Sequence, residues 1–489
     1  MPEFEYEGQV SMSVNPIDEV LNARSVAVVG ANRGEGWGGG GFVAGLTQFG
    51  FKGKVFPVNP KYPDIQGLKA YPSLKDVPEQ VDYVISSVAA PQVPQMLEEA
   101  AEKRVKVVHL FTARLSETGR PEAIELEKRI VDIARTHGMR LIGPNCMGVY
   151  YPLGGIAFHA DFPKESGPVG LISQSGMLAR EMVLAAPLRG VYFSKVFSYG
   201  NAVDLNECDF LEYLTRDRDT KVIMMYIEGV KGGRRFFKTL KEATALKPVI
   251  ILKGGKGEAG ARATASHTAS LAGTAQTWDT MVAQAHAVAA GSVEELMDLT
   301  TAFRFLPPVE GTRVGVAGGA GGSSVLAADQ CEQAGLEVIP LPQAFREELK
   351  SRGVSVWDWL SNPADISIRE DDTFSVGMVL EMMARDPHFD VLIAIMGMPG
   401  RTPGQAGMTP EAFIRQQYRL DVCQTKPFLG IVPDKSLRVT DMESREWKGL
   451  CETRSALIKL EVPFFPTIGR GAVAARKASE YYRRESARD

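Results

Sequence analysis

The sequence predicts an α/β protein made of three consecutive doubly wound domains. Three observations predict it. Short apolar runs recur along the chain, most close on Gly or Asn, and helix-length segments separate them. Runs apolar on both faces and spaced this way are the pattern of parallel strands covered by helices on both sides. The first series is "SVAVVG" (25–30), "KVFPVN" (54–59), "YVISSV" (83–88), "VKVVHLF" (105–111) and "MRLIGPN" (139–145), which sets a first domain over residues 1–150. The pattern restarts with "PVGLISQSG" (168–176), "VYFSKVFSYGN" (191–201), "KVIMMYIEG" (221–229) and "PVIILKGG" (248–255), giving a second domain over 151–307. The Pro-rich "FLPPVEG" (305–311) reads as a linker. A third series, "RVGVAGGAGG" (313–322), "LEVIPL" (336–341), "FDVLIAIMG" (389–397) and "PFLGIVP" (427–433), fills 308–489.

The 489 residues suit three domains of about 100–200 residues each. With 44% hydrophobic residues, 23% charged residues and a net charge of −4, the composition is that of a globular chain and gives no reason to expect nucleic acid. No apolar run approaches the roughly 18 residues of a membrane span, so no membrane partner is expected. The N-terminal "MPEFEYEGQVSMS" lacks the pattern of a signal peptide. Cys146, Cys208, Cys331, Cys423 and Cys451 are widely spaced with no CxxC pair. That predicts reduced thiols in a cytoplasmic protein and no metal site.

Five segments carry candidate chemistry. "GANRGEGWGGGG" follows the first strand, and a glycine-rich turn opening a helix presents backbone N–H groups to phosphate. Its spacing is not GxGxxG, and Asn59 stands where a ribose-binding acid is expected, so a dinucleotide is disfavoured; a plain turn remains open. "SQSGML" (173–178) puts Ser173, Ser175 and Gly176 at a helix mouth, either as an anion hole or as a simple N-cap. "YIEG" puts Glu228 at the C-terminal end of a strand, where it either orients an imidazole or is a surface acid. "GPNCMG" projects Asn145 and Cys146 into the first crevice, with an inert Cys146 the better reading. "ARATASHTASLAG" carries His267, one of six histidines in the chain, among small residues. It is a nucleophile, base or ligand, or else has no role.

Taken in order, "GPNCMG", "VGLISQSGMLA", "FSYGNAVDLNECDFLEYL", "YIEGVKGGRRF" and "LKGGKGEAGARATASHTASLAG" resemble one family. It is the nucleoside-diphosphate-forming acyl-CoA synthetases, the superfamily of succinyl-CoA synthetase, in their α-type half. The resemblance covers nearly the whole chain. It implies a Rossmann-like CoA-binding domain, a flavodoxin-like ligase domain with a phosphohistidine loop, and a third flavodoxin-like domain. It implies reversible conversion of a small carboxylic acid, CoA and ATP or GTP into acyl-CoA, nucleoside diphosphate and phosphate, through an acyl phosphate and a phosphohistidine. By the same resemblance His267 is phosphorylated and Glu228 is its orienting carboxylate. Ser173, Gln174, Ser175, Gly176 and Asn145 bind phosphate or the acyl group. Gly30, Ala31, Asn32, Val58, Asn59 and Pro60 bind CoA.

Departures accompany the match. Arg33 and Trp37 stand in the first turn, and "FTARLSETG" carries Arg114, which suits a substrate with a second anionic group. Phe158, His159, Phe162 and Tyr199 are candidates for an acyl pocket or for core. Nothing in the chain reads as an ATP-grasp module, and "GGAGGSS" has no Lys before its Ser. The resemblance therefore implies a separate ATP-grasp β-type subunit holding nucleotide and Mg²⁺, in an α2β2 assembly. A nucleotide-independent CoA acyltransferase or lyase, or a CoA-binding regulatory protein, are the alternatives on this fold.

Overall fold

In the computed structural model, residues 15–34, 36–262, 275–365, 367, 374–397, 408–433 and 443–486 are described. The first sheet contains β1 (Ser25–Val29), β2 (Lys54–Val58), β5 (Tyr83–Ser86), β6 (Val107–Leu110) and β7 (Arg140–Ile142) in the order β2-β1-β5-β6-β7. All its pairings are parallel. A two-stranded hairpin, β3 (Asp64–Ile65) and β4 (Leu68–Lys69), follows β2.

The second sheet contains β8 (Gly148–Tyr150), β9 (Val169–Ser173), β10 (Phe193–Ser198), β11 (Val222–Ile227), β12 (Val249–Lys253) and β13 (Val288–Ala290). Their order is β13-β12-β11-β9-β10-β8, parallel except for β8. The third is β14 (Val314–Ala317), β15 (Val391–Ile395), β16 (Phe428–Ile431) and β17 (Phe464–Phe465), parallel and in that order. Isolated parallel bridges, Arg313 to Glu337 and Ala317 to Ala364, also pair with β14.

The strands are nearly all buried on both faces, which is why they read as unbroken Val/Ile-rich runs. Alternate residues serve different cores, because successive side chains point to opposite faces. Val26, Val28, Tyr83 and Ile85 turn inward to a central core that also fills the second sheet, whereas Ala27, Val29 and Val84 close an outer one. The third sheet divides alike: Val314, Val391, Ile393 and Leu429 join the central core, and Ala317, Leu392 and Ala394 a peripheral one.

The structure departs from the sequence reading in three places. Gly148–Tyr150 falls before the boundary drawn after residue 150, yet it forms the antiparallel edge of the second sheet. "LEVIPL" makes one bridge and no strand, since Pro340 lacks the N–H a ladder needs. The short strands β13 and β17 carry too few residues for a periodic signal.

The last helix, Ile468–Ser486, packs on helices Val293–Phe305 and Gly322–Gln333 and so ties the third domain to the second. Arg470 donates from Nε and Nη2 to the two Asp298 oxygens at 2.6 and 2.8 Å, and Arg189 approaches the same buried carboxylate at 3.2 Å. Breaking a buried pair costs about 3–5 kcal/mol, and the partial exposure of both arginines selects the low end. Asp298→Ala is expected to cost about 3 kcal/mol, measured as a lower midpoint of urea denaturation; an unchanged midpoint contradicts it.

Candidate functional site

In an open parallel sheet a crevice forms beyond the carboxyl ends of the strands where strand order reverses. The second sheet reverses between β9 and β11, because the chain leaves β9 for β10 on one side and returns to β11 on the other. Ser173 ends β9 and Glu228 follows β11, so both stand at the reversal.

The turn after β9 is tightly wired. Ser173 Oγ donates to the Ser175 carbonyl at 2.7 Å. Ser175 caps helix Gly176–Ala185, its Oγ accepting the Leu178 N–H at 3.3 Å. Gln174 is buried, and its Oε1 accepts the N–H groups of Glu228 at 2.7 Å and Gly229 at 3.0 Å. A Cβ on Gly176 would stand 2.7 Å from Met147 Cγ, so the helix start lies directly against "GPNCMG".

Glu228 is 6% exposed and its Oε1 accepts the Tyr226 hydroxyl at 3.2 Å. Lys253, at the end of β12, donates from Nζ to the Glu228 carbonyl at 2.8 Å and to the Gly254 carbonyl. Burial lowers the Lys253 pKa below the ordinary lysine value, against the pull of nearby Glu228. The Trp278 ring lies 5.7 Å from that ammonium. Gly254 N–H donates to the Ile227 carbonyl at 2.8 Å, so the segment leading to His267 departs beside Glu228. Lys256 pairs with Asp279 at 2.5 Å, joining the start of that segment to helix Ala275–Gln284. His267 itself, within 263–274, lies outside the described residues.

The first sheet reverses between β1 and β5. Gly30, with φ +83°, leaves β1, and its N–H donates to the Val58 carbonyl at 2.9 Å. Asn59 Nδ2 donates to the Ala31 carbonyl at 2.7 Å, and Asn32 Oδ1 accepts the Gly34 N–H at 3.0 Å. Buried Val58 and exposed Pro60 flank Asn59, so the six residues assigned to CoA form one patch over β1 and β2. Helix Gly39–Thr47 begins without a side-chain cap. Cβ atoms at Gly39 and Gly40 would sit 2.2 and 1.6 Å from the Gly30 and Gly34 carbonyls, so this turn excludes any larger residue. A cavity of about 750 Å³ runs past Ser87, Thr112, Arg114 and Arg120 to Asn145.

Asn145, at φ +57°, joins the two halves. Its N–H donates to the Thr112 carbonyl at 2.9 Å, and its Nδ2 reaches Asn201 Oδ1 at 3.5 Å. Met147 N–H donates to Ser198 Oγ at 3.1 Å. The "GPNCMG", "SQSG" and "FSYGN" segments therefore meet at one place, the first from one sheet and the others from the next.

Other candidates lie apart. Cys146 is buried and its thiol is pushed up to about 12 by burial, an inert group. Phe158, Phe162 and Tyr199 are core residues, Phe158 and Phe162 stacking edge-on at 4.7 Å. His159 pairs with Asp161 at 2.5 Å. Arg33 pairs with Asp64 at 3.1 Å, and half-exposed Trp37 lies 5.5 Å from the Arg180 guanidinium.

Sequence reasoning missed Lys253 and Asn201, whose only signals are a lone Lys closing "VIILK" and the Asn after "SYG". It also missed His109, a buried histidine inside the apolar β6 whose Nε2 lies 3.0 Å from the Cys146 carbonyl.

Comparisons with known proteins bear on the fold and the family. A model described as "CoA binding domain" matches residues 24–152, and one described as "Succinyl-CoA ligase like flavodoxin domain" matches 166–303. The α subunit of acetate–CoA ligase [ADP-forming] II from Pyrococcus furiosus is 38% identical over 421 residues, covering 85% of this chain and 89% of the relative. This chain belongs to the nucleoside-diphosphate-forming acyl-CoA synthetases, as an α-type chain. An acetate–CoA ligase [ADP-forming] from Methanocaldococcus jannaschii is 39% identical over 346 residues, 70% of this synthetase chain but 48% of the relative. The structure of the dinucleotide-forming acetyl-CoA synthetase 1 from Ca. Korarchaeum cryptofilum, in complex with phosphate and ADP, matches with a TM-score of 0.78. It is 29% identical and covers 97% of this α-type chain and 98% of its own.

Two outcomes follow for the α-type chain. Native protein treated with iodoacetamide at neutral pH is expected to be labelled at exposed Cys451 and spared at Cys146, read by peptide mass spectrometry. Burial also lowers the His109 pKa from 6.5 to about 4. A depressed imidazole stabilises the fold fully above the unfolded value and loses that contribution as pH falls through 6.5 toward 4. Stability is expected to drop by about 2 kcal/mol from this group between pH 7 and pH 5. His109→Gln is expected to flatten that part of the pH dependence in urea titrations.

Proposed function

We propose that the chain works with a separate ATP-grasp β-type subunit, in an α2β2 assembly, to interconvert a small carboxylic acid, CoA and ATP with acyl-CoA, ADP and phosphate. The observation that carries this reading is the meeting of the two crevices, where Met147 lies against Gly176 and Asn145 reaches Asn201. A CoA thiol lying along the 750 Å³ cavity then ends against the helix start where an acyl phosphate is held. The uncapped helix after Gly38 and the absence of Cβ room at Gly39 and Gly40 suit close approach of a phosphate to backbone N–H groups.

In the ligase direction, a neutral His267 nitrogen takes the terminal phosphoryl group of ATP as the O–P bond to ADP breaks. Glu228 orients the imidazole and steadies its positive charge. The acid's carboxylate then takes the phosphoryl group as the N–P bond breaks. The CoA thiolate attacks the resulting acyl carbon and phosphate leaves. The helix start at Ser173–Gly176 favours the phosphate's negative charge through its N–H groups and dipole.

The partner is inferred from the α-subunit relatives of Pyrococcus furiosus and from the Methanocaldococcus jannaschii relative, half of whose length lies beyond the match. We assign nucleotide and Mg²⁺ to that partner and the assembly to the cytoplasm. No helix among the described residues is long and apolar enough to cross a membrane.

Incubation with labelled ATP and Mg²⁺ is expected to give acid-labile, base-stable label only when a β-type subunit is present, and none in His267→Ala. Tight CoA binding with no label under any condition overturns this reading in favour of a nucleotide-independent transferase or a CoA-binding protein.

A further inference from the structure

We propose that Gln174 and Lys253 are positioning residues that hold Glu228 in register with the phosphate-binding helix start. The inference rests on the reading of Glu228 as the carboxylate that orients His267.

The peptide of Glu228 is gripped from both sides. Its N–H and that of Gly229 donate to Gln174 Oε1 at 2.7 and 3.0 Å. Its carbonyl accepts Lys253 Nζ at 2.8 Å. The gripping side chains come from the strands on either side of β11: Gln174 follows β9, and Lys253 ends β12. Both are shielded from water, at 2% and 9% exposure, so each bond lacks a competing solvent partner.

These bonds lie at and beyond the end of the sheet. The β9–β11 register runs to Ser173 opposite Tyr226, and the last main-chain bond across it is from the Gln174 N–H to the Tyr226 carbonyl. From there the Gln174 side chain carries the pairing on to Glu228. Gln174 also sits between Ser173 and Ser175, so its backbone belongs to the anion-receiving turn while its side chain belongs to the carboxylate. One residue thus sets the spacing between the two halves of the phosphoryl site. Lys253 fixes the opposite side of the same peptide, and its neighbour Gly254 begins the segment that leads to His267.

Side-chain chemistry defines the test. Methionine matches glutamine in length but its thioether accepts such bonds only weakly, whereas glutamate keeps a strong acceptor at the same reach. In the assembled enzyme, Gln174→Met is expected to lower kcat and the initial rate of His267 labelling by about 10–100-fold. KM values for CoA, acid and phosphate are expected to stay within about twofold, because a displacement of the carboxylate alters the reacting geometry and not the remote contacts. Gln174→Glu is expected to return kcat to within about fivefold of the wild type. Lys253→Met, which removes only the second grip, is expected to lower kcat about tenfold, and it carries the test if Gln174→Met does not fold.

Wild-type rates in both Met variants overturn the proposal, as does equal loss in Gln174→Met and Gln174→Glu. A raised KM for phosphate with kcat retained marks Gln174 as a direct anion contact and also overturns it. If Glu228→Gln labels as fast as wild type, the underlying reading of Glu228 fails, a result separable from normal dependence on Glu228 with no dependence on Gln174.

Discussion

The molecule depends on one shared apolar core. Inward-facing residues of the first and third sheets pack into the same interior that surrounds the second sheet. Three separately cored domains would meet through small polar interfaces and shift against one another. A continuous core, packed at the density of a crystal, resists that movement. The crevice of the first sheet is therefore held against that of the second, with Met147 against Gly176 and Asn145 reaching Asn201.

With the sheets locked, the candidate site falls where strand order reverses. Each reversal sends neighbouring helices to opposite faces and leaves turns, not helices, over the strand ends. The turn after β9 uses its own hydroxyls to hold its shape: Ser173 bonds within the turn and Ser175 caps the helix. What such a turn offers an anion is chiefly backbone N–H groups and the helix dipole. The carboxylate opposite is braced by groups that cannot easily move. Tyr226 bonds its side chain, and Gln174 and Lys253 its peptide. A buried acid in a loop would otherwise search several positions.

Much of this was legible in the sequence. Strands buried on both faces leave an unmistakable apolar signature, and the glycine turns after β1 and β14 mark strand ends. The ordered motifs carried the family resemblance and singled out Glu228, Ser175 and Asn145 as candidates. Short or broken elements were not legible. β13 and β17 have too few residues for periodicity, and "LEVIPL" carries a proline that its apolar content hid. Gln174 reads as one polar residue between two serines, and nothing local distinguishes an amide that bonds ligand from one that bonds a loop 54 residues away.

The sequence by itself determined the fold class, the three-part layout and the kind of chemistry, because these rest on local patterning and on motifs that keep their order along the chain. Only the tertiary structure decided which motifs meet. It brought Asn145 from the first sheet to Asn201 and Met147 to Gly176, gave Gly148–Tyr150 to the second sheet, and made Lys253 a partner of Glu228. The reason is physical: neighbours across a strand-order reversal are set by sheet pairing and by a shared core, and both join residues that are far apart in the chain.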